Sequence, residues 1–117
     1  MILKEHDLQS ACIKWFKLQY PKEIIFAVPN AAKRSKILGA YMKSEGMVAG
    51  IPDLYIASPS FDGKFHGLFI EMKNGNKGKL SIKQKEVIEK LSSKGYLCEV
   101  IRDIDSFMST VNIYFNR

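Results

Sequence analysis

The sequence predicts an α/β fold in which a central mixed β-sheet of about four strands is flanked by helices. Three observations lead to this prediction. Short apolar runs rich in β-branched and aromatic residues alternate with longer segments in which apolar residues recur every three or four positions. These segments follow one another as helix, strand, helix, strand, strand, helix, strand, helix. The length of 117 residues fits a single domain, residues 1–117, that encloses one hydrophobic core.

The composition is that of a globular protein with an excess of positive charge. Hydrophobic residues make up 46% of the chain and charged residues 26%, and the net charge is +6. This charge suits a polyanionic partner such as a nucleic acid. A basic protein without such a partner has the same composition, so the charge alone does not decide between the two.

The sequence also predicts where the protein resides. It shows neither a signal peptide nor an apolar run of membrane-spanning length, which predicts a cytoplasmic protein with no membrane partner. Cys12 and Cys98 lie in apolar runs and outside any metal-ligand spacing. Buried reduced thiols are therefore the favoured interpretation, and they agree with the cytoplasm.

The first predicted helix covers residues 5–19. Its apolar side chains follow the helical period and form a stripe of Leu8, Cys12, Trp15 and Phe16. Glu5 projects from the same face, one turn before this stripe. The helix dipole favours an acidic residue in the first turn, which explains Glu5 without any function. The alternative is that Glu5 reaches a site formed by carboxylates later in the chain.

A predicted buried strand over residues 24–28 leads into a basic loop. Pro29 and Asn30 end the strand, and the loop that follows consists of small and basic residues. The cations of this loop are Lys33, Arg34 and Lys36. Together with Asn30 they could hold phosphate groups, although a solvated basic loop explains an isolated run more simply.

A second helix is predicted from the spacing of apolar residues that starts with Ile37, with Gly46 as its C-terminal cap. Its helical spacing comes from Leu38, Tyr41 and Met42. Gly46 and Gly50 bracket a short connection, which we expect to be a flexible entry to the next strand.

The stretch from Gly50 to Lys73 is predicted to form two strands joined by a turn. Asp53 opens the first strand, and the connecting segment contains Pro, Ser, Asp and Gly, which are typical of turns. Glu71 and Lys73 lie two residues apart at the end of the second strand and therefore share one face. Pairing of the two strands would bring Asp53 close to Glu71. Two carboxylates and an ammonium would then meet at one edge of the sheet.

A Gly-rich basic loop and a capped helix follow the hairpin. Lys77 and Lys79 of the loop could grip a nucleic-acid backbone, although a plain linker is equally consistent. Ser81 and Gln84 have capping-box spacing at the start of a helix that Gly95 closes. Gln84 also faces the sheet, so it could in addition hold a metal-bound water or a substrate phosphate.

The chain closes with a predicted strand over residues 96–101 and a helix that Asp103 caps. The apolar stripe of this helix consists of Ile104, Phe107, Met108, Val111 and Phe115. With this helix the predicted sheet has helical cover on both sides.

The carboxylates of the hairpin predict a metal site. Asp53 and Glu71 are expected to bind Mg²⁺ or Mn²⁺ through oxygen, together with the backbone carbonyl of Met72. The metal would lower the pKa of a bound water and offset charge on a phosphate under attack. Lys73 would orient or deprotonate that water, or stabilise the transition state. The simpler alternative is a surface salt bridge between Glu71 and Lys73, with Asp53 as a turn residue.

In their order and spacing these motifs resemble the PD-(D/E)XK nuclease superfamily, and within it the VRR-NUC (virus-type replication-repair nuclease) domains. The matching pieces are Glu5 with Leu8-Gln9, Pro29-Asn30, Gly46 followed by Gly50-Ile51-Pro52-Asp53-Leu54, Phe69-Ile70-Glu71-Met72-Lys73, and Leu80-Ser81 with Gln84. The resemblance covers nearly the whole chain. The two alanines after Asn30 depart from the glycine expected in that loop.

This resemblance implies a restriction-endonuclease-like core with an added helix between its first two strands. It implies that Asp53 and Glu71 are metal ligands and that Lys73 is the catalytic lysine. Gln84 would be the catalytic polar residue on the following helix, and Glu5 the helical acid that completes the site. No small-molecule cofactor is implied.

The resemblance also implies a biological role. Stand-alone members of this branch resemble Holliday-junction resolvases and act as homodimers on branched double-stranded DNA during repair and recombination. The expected location is the cytoplasm of a bacterium or of a phage-infected host.

Two other functions fit the same residues. The domain could bind DNA without cutting it, although the complete set of Asp53, Glu71 and Lys73 argues against this. It could also be a nuclease for flaps or for RNA. The sequence offers no evident reader of a 2′-hydroxyl and no evident aromatic platform on which bases could stack.

Overall fold

The computed structural model describes residues 4–29, 36–73, 75 and 78–117. In this part of the chain a mixed four-stranded sheet packs against helices, which confirms the predicted α/β fold. The strands are β1 (Ile25–Ala27), β2 (Leu54–Ile56), β3 (Leu68–Met72) and β4 (Leu97–Ile101). The helices are α1 (Glu5–Gln19), α2 (Lys36–Ser44), α3 (Ile82–Ser93) and α4 (Ile104–Phe115). The predicted phosphate contacts Asn30, Lys33, Arg34 and Lys77, and the side chain of Lys36, lie outside the described residues.

The strands are ordered β1-β2-β3-β4 across the sheet. The pairings β1–β2 and β2–β3 are antiparallel, whereas β3 and β4 run parallel because α3 carries the chain back between them. The register of β2 against β3 pairs Leu54 with Ile70 and Tyr55 with Phe69. Successive residues of a strand point to opposite faces. Leu54 and Ile70 therefore lie on one face of the sheet, and Tyr55 and Phe69 lie on the other.

The hydrophobic core lies between the face that carries Leu54 and Ile70 and the helices α1 and α4. The buried residues that these helices contribute are Leu8, Cys12, Phe16, Phe107, Val111 and Tyr114. Near the end of α1 the Tyr20 hydroxyl donates a hydrogen bond of 2.5 Å to Asn112 Oδ1 of α4. This bond joins the two helices that cover the core. No helix among the described residues has the length and apolar character to cross a membrane.

The cysteines agree with the sequence prediction in part. Both are free thiols, and Cys12 is buried. Burial raises the pKa of the Cys12 thiol to about 12, so that thiol stays protonated at neutral pH. Cys98 is half-buried on β4, which is less than the sequence indicated.

The strand β1 is more exposed than the sequence predicts, and α2 is exposed as well. The strand expected to be buried is the three-residue edge strand β1, in which Phe26 is exposed. An edge strand has a neighbour on one side only, so one of its margins stays open. In α2, the apolar side chains of Ile37, Leu38 and Tyr41 are also exposed.

The last helix begins at the predicted cap. The Asp103 carboxylate accepts a 2.7 Å hydrogen bond from the backbone N–H of Ser106. The hydrogen bonds from Ser106 hold the pKa of the Asp103 carboxyl below its ordinary value. The cap is therefore strongest when this carboxyl is ionised.

We expect Asp103→Asn to keep the cap of α4 but to change how stability depends on pH. In the wild type the ionised carboxyl stabilises the fold above its unfolded-state pKa, and this contribution is lost as the pH falls through the lower folded-state pKa. Asparagine does not titrate, so the stability difference between the two proteins should shrink in acid. Urea unfolding from neutral to acid pH measures this difference. Asp105→Asn serves as the matched control, and a difference that stays constant with pH would contradict the prediction.

Candidate active site

The antiparallel register of β2 and β3 brings two carboxylates together. Asp53 immediately precedes β2, and because Leu54 pairs with Ile70 it lies opposite Glu71. Both side chains are buried, with exposed fractions of 6% for Asp53 and 2% for Glu71. The prediction that these two residues lie close together is therefore supported by the register.

Backbone hydrogen bonds hold Asp53 from both sides. Its Oδ2 atom accepts a buried 2.7 Å hydrogen bond from the backbone N–H of Met72 on β3. Its backbone carbonyl accepts a 2.8 Å hydrogen bond from the N–H of Val28, which follows β1. The carboxylate thus has a defined position between two neighbouring strands. Asp53 is therefore a buried residue whose carboxylate is held against β3.

Lys73 lies directly after β3, on the same face as Glu71. Its backbone N–H donates to the Ile101 carbonyl at 3.0 Å, which extends the β3–β4 ladder by one residue. Its ammonium lies 3.8 Å from Glu71 Oε2 and donates a 3.0 Å hydrogen bond to Gln84 Oε1. The Lys73 side chain is largely buried, at 13% exposure. A largely buried cation therefore stands beside Glu71.

Gln84 caps α3 as predicted and also contacts Lys73, while its predicted contact with a metal-bound water or a phosphate stays a prediction. Its Oε1 atom accepts a 2.9 Å hydrogen bond from the Ser81 N–H, and its own N–H donates to Ser81 Oγ at 3.1 Å. This is the predicted capping box at the start of α3. The same Oε1 atom accepts the hydrogen bond from the Lys73 ammonium. The cap of the helix thereby positions the cation of the site.

The connection between α2 and β2 packs closely against the start of α3, which the sequence prediction of a flexible entry missed. Gly50 has a φ of +84°, and a Cβ atom at this position would lie 2.8 Å from the Lys83 carbonyl oxygen. Any larger residue would collide with the backbone of α3 and would strain its own backbone. Gly50 therefore sets the spacing between the segment that carries Asp53 and the helix that carries Gln84.

Arg102 is a further residue that the sequence analysis did not identify. Its guanidinium donates to the carbonyl oxygens of Gly75 and Gly78, at 2.8 and 2.7 Å. Because β3 and β4 are parallel, Arg102 at the end of β4 lies at the same edge of the sheet as the loop that follows β3. It holds Gly75 and Gly78 at this edge of the sheet, and Lys79 is exposed. The signal in the sequence that could have identified Arg102 was a long basic side chain directly after a strand that lies parallel to its neighbour.

The donor set suits a hard divalent cation. Buried carboxylate oxygens are the ligands that Mg²⁺ and Mn²⁺ prefer, and two facing carboxylates are costly to bury without a cationic partner. Among residues 4–29, 36–73, 75 and 78–117, no group of three His, Cys, Asp or Glu side chains could hold a metal ion. The described residues therefore offer a two-carboxylate site. Glu5 begins α1, and its place in the site stays a prediction, as does the backbone carbonyl of Met72.

Comparison with known proteins agrees with the α/β fold and identifies the family. The family model of the VRR-NUC domain matches residues 1–103. A solved structure described as "VRR_NUC domain protein" has 32% sequence identity and a TM-score of 0.81, and the match covers 97% of this chain and 89% of that chain. No curated protein matches the chain. The predicted resemblance and the nuclease-like α/β fold are thereby confirmed.

The contact between Lys73 and Gln84 should appear as an energetic coupling. A double-mutant cycle of Lys73→Met and Gln84→Ala, followed by urea unfolding, should give a favourable coupling of about 0.5–1.5 kcal/mol, because each change removes the same hydrogen bond. The control cycle is Lys83→Met with Glu86→Ala. That pair is 3.9 Å apart and well exposed, so its coupling should be close to zero. Equal coupling in both cycles would mean that Gln84 does not hold Lys73.

Proposed function

The chain belongs to the VRR-NUC domain family, and on this premise we propose that it is a metal-dependent endonuclease that hydrolyses phosphodiester bonds in branched DNA. The observation that carries the proposal is the pair of buried carboxylates, Asp53 and Glu71, held opposite each other with the Lys73 ammonium 3.8 Å from Glu71. Two hard oxygen donors and a fixed cation suit metal-assisted hydrolysis of a phosphodiester.

The carboxylates are proposed to hold the metal. Asp53 and Glu71 would bind Mg²⁺ or Mn²⁺, with the Met72 carbonyl and Glu5 as further ligands. When bound, such an ion lowers the pKa of a water molecule and offsets charge on the phosphate. The hydrogen bond from the Met72 N–H orients the Asp53 carboxylate before any ion arrives. The protein would therefore present a pre-formed site.

Lys73 is proposed to act on the attacking water or on the phosphate. Its ammonium donates hydrogen bonds, and it could orient the water or stabilise the charge that develops on the phosphate oxygens. The hydrogen bond to Gln84 Oε1 holds this ammonium 3.8 Å from Glu71 Oε2, so the two do not form a close ion pair. Gln84 would thus be a positioning residue for Lys73 rather than a group that touches the substrate.

The proposed substrate is branched double-stranded DNA, with a four-way junction as the first structure to test. The net charge of +6 favours a polyanion. Lys79 is exposed on the loop beside the site, and the residues proposed to contact phosphates with it are Asn30, Lys33, Arg34, Lys36 and Lys77. Symmetric cleavage of a junction needs two sites, and one chain supplies one site, so we propose that the active form is a homodimer.

Asp53→Asn and Lys73→Met should each lower the cleavage rate of a four-way junction by at least about 100-fold, since each removes a group that acts on the phosphate or holds the metal. Glu89→Gln and Lys90→Met are the matched controls, because they make the same changes of charge on the exposed side of α3. Gel assays of a labelled junction with Mg²⁺ and with Mn²⁺ measure the rates. Undiminished cleavage by both site variants would refute the site assignment.

The same assay separates the other candidate functions. A domain that only binds DNA would retain the junction with EDTA or Mg²⁺ alike and would yield no product. Flap, linear duplex and RNA substrates of matched sequence are tested in parallel. Faster cleavage of a flap or of RNA than of the junction would contradict the proposed substrate and leave the hydrolytic mechanism in place.

Metal binding should also be visible without any DNA. Mn²⁺ at about 100 times its dissociation constant should stabilise the wild type by about 2.7 kcal/mol, because the ion binds the folded state alone. Glu71→Gln should abolish most of this gain, whereas Glu89→Gln should keep it. Thermal unfolding with EDTA and with Mn²⁺ measures the effect. An equal gain in all three proteins would mean that the ion binds elsewhere.

A further inference from the structure

Aromatic rings form a row across the sheet on the face that carries the candidate active site. The row consists of Phe26 on β1, Tyr55 on β2, Phe69 on β3 and Tyr96 immediately before β4. The ring centroids of neighbours are 5.6 Å apart for Phe26–Tyr55, 4.3 Å for Tyr55–Phe69 and 5.5 Å for Phe69–Tyr96. Each ring therefore contacts the next, and the row spans the full width of the sheet.

The register places this row next to the carboxylates. Phe26 pairs with Tyr55, and Tyr55 pairs with Phe69, so the three rings share one face. Asp53 precedes Tyr55 by two residues and Glu71 follows Phe69 by two residues, which puts both carboxylates on that same face. Two residues along a strand span about 6.8 Å. The aromatic row is thus adjacent to the site and on its side of the sheet.

One end of the row is open. Phe26 is 47% exposed on the edge strand, whereas Tyr55, Phe69 and Tyr96 are half-buried. The half-buried rings behind Phe26 hold it from one side, and Tyr55 contacts it edge-to-face at 70° between the ring planes. The exposed ring is therefore backed by other rings and held at the margin of the site.

We infer that Phe26, backed by Tyr55, binds an unstacked nucleobase next to the phosphate that occupies the carboxylate site. The inference rests on the proposed function for the identity of the ligand as DNA. An aromatic ring stacks on any base because every base has a π-face, and this contact is a main source of binding to unpaired nucleotides. The positive net charge favours a polyanion. The exposed ring supplies an apolar surface on which an unpaired base can stack, whereas a paired base inside a duplex cannot reach it.

This contact explains how a small domain could prefer branched DNA. In a duplex the bases are stacked on each other, so offering one to Phe26 requires unstacking, whereas continuous stacking is interrupted at a branch point, so a base there is released at a lower cost. The contact therefore selects for DNA in which a base beside the scissile phosphate is unpaired or easily unstacked. It also gives the aromatic row a role in recognition, in addition to the packing of its rings against one another.

The test uses a Y-shaped DNA that carries 2-aminopurine as its first unpaired nucleotide, together with a fully paired duplex of the same sequence. Stacking on an aromatic ring quenches 2-aminopurine fluorescence. EDTA is present, so binding is measured without cleavage. The proteins are the wild type, Phe26→Leu, Phe26→Trp and Phe61→Leu. Phe61→Leu is the matched control because Phe61 is 59% exposed in the connection after β2, at the opposite end of that strand from Asp53.

The wild type and Phe26→Trp should bind the Y-shaped DNA and quench the probe. Phe26→Leu should lose the quenching and bind about 5- to 100-fold more weakly. Its affinity for the duplex should stay within about twofold of that of the wild type, since phosphate contacts dominate duplex binding. Phe61→Leu should behave like the wild type. Circular dichroism confirms that each variant is folded.

Several results would overturn the inference. They are an absence of quenching by the wild type, equal quenching by Phe26→Leu, and loss of quenching in Phe61→Leu. A wild-type dimer that Phe26→Leu converts to a monomer in sedimentation would also overturn it, because the ring would then be covered by a second copy. Failure of the proposed function gives a different result from failure of this inference. A wild type that quenches the probe with EDTA but cuts no DNA with Mg²⁺ or Mn²⁺ refutes the nuclease proposal and leaves the base contact standing.

Discussion

The hydrogen bond from the Met72 N–H to the Asp53 carboxylate is the interaction on which the candidate site depends. It links the residue before β2 to the last residue of β3 over 2.7 Å in a buried setting. A slip of one strand by a single residue would break this bond and would turn every side chain of that strand to the other face. Because the register is held, Asp53 stays opposite Glu71, and both carboxylates remain on the face that α3 borders.

The two faces of the sheet have different roles as a consequence of this register. The face with Leu54 and Ile70 is buried under α1 and α4, and it supplies the apolar area that stabilises the fold. The other face carries the carboxylates, Lys73 and the aromatic row. On this second face the first turn of α3 borders the site. There Gln84 holds the Lys73 ammonium, and Gly50 allows the segment before β2 to lie close to α3. The residues that stabilise the fold and those proposed for the chemistry thus lie on opposite faces of one sheet.

Individual residues show how far sequence reasoning reached. The proximity of Asp53 and Glu71 followed from a hairpin prediction, and the structure supports it. Gln84 was predicted both as a cap and as an inward-facing polar group, and its Oε1 atom accepts hydrogen bonds from the Ser81 N–H and from the Lys73 ammonium. The aromatic row escaped notice because its rings are far apart in sequence and meet only through the strand register. The burial of β1 was overestimated because an apolar run does not reveal whether its strand lies at the edge of a sheet.

The sequence by itself determined the order of the elements, the caps at Ser81 and Asp103, and the shared face of Glu71 and Lys73. These features depend on local periodicity and on hydrogen bonds within a few residues, so they can be read from short segments. Only the tertiary structure decided the register of β2 and β3, the parallel pairing of β4 and the contact between Lys73 and Gln84. Those features join segments that are distant along the chain, and they are selected by the packing of the whole sheet against its helices.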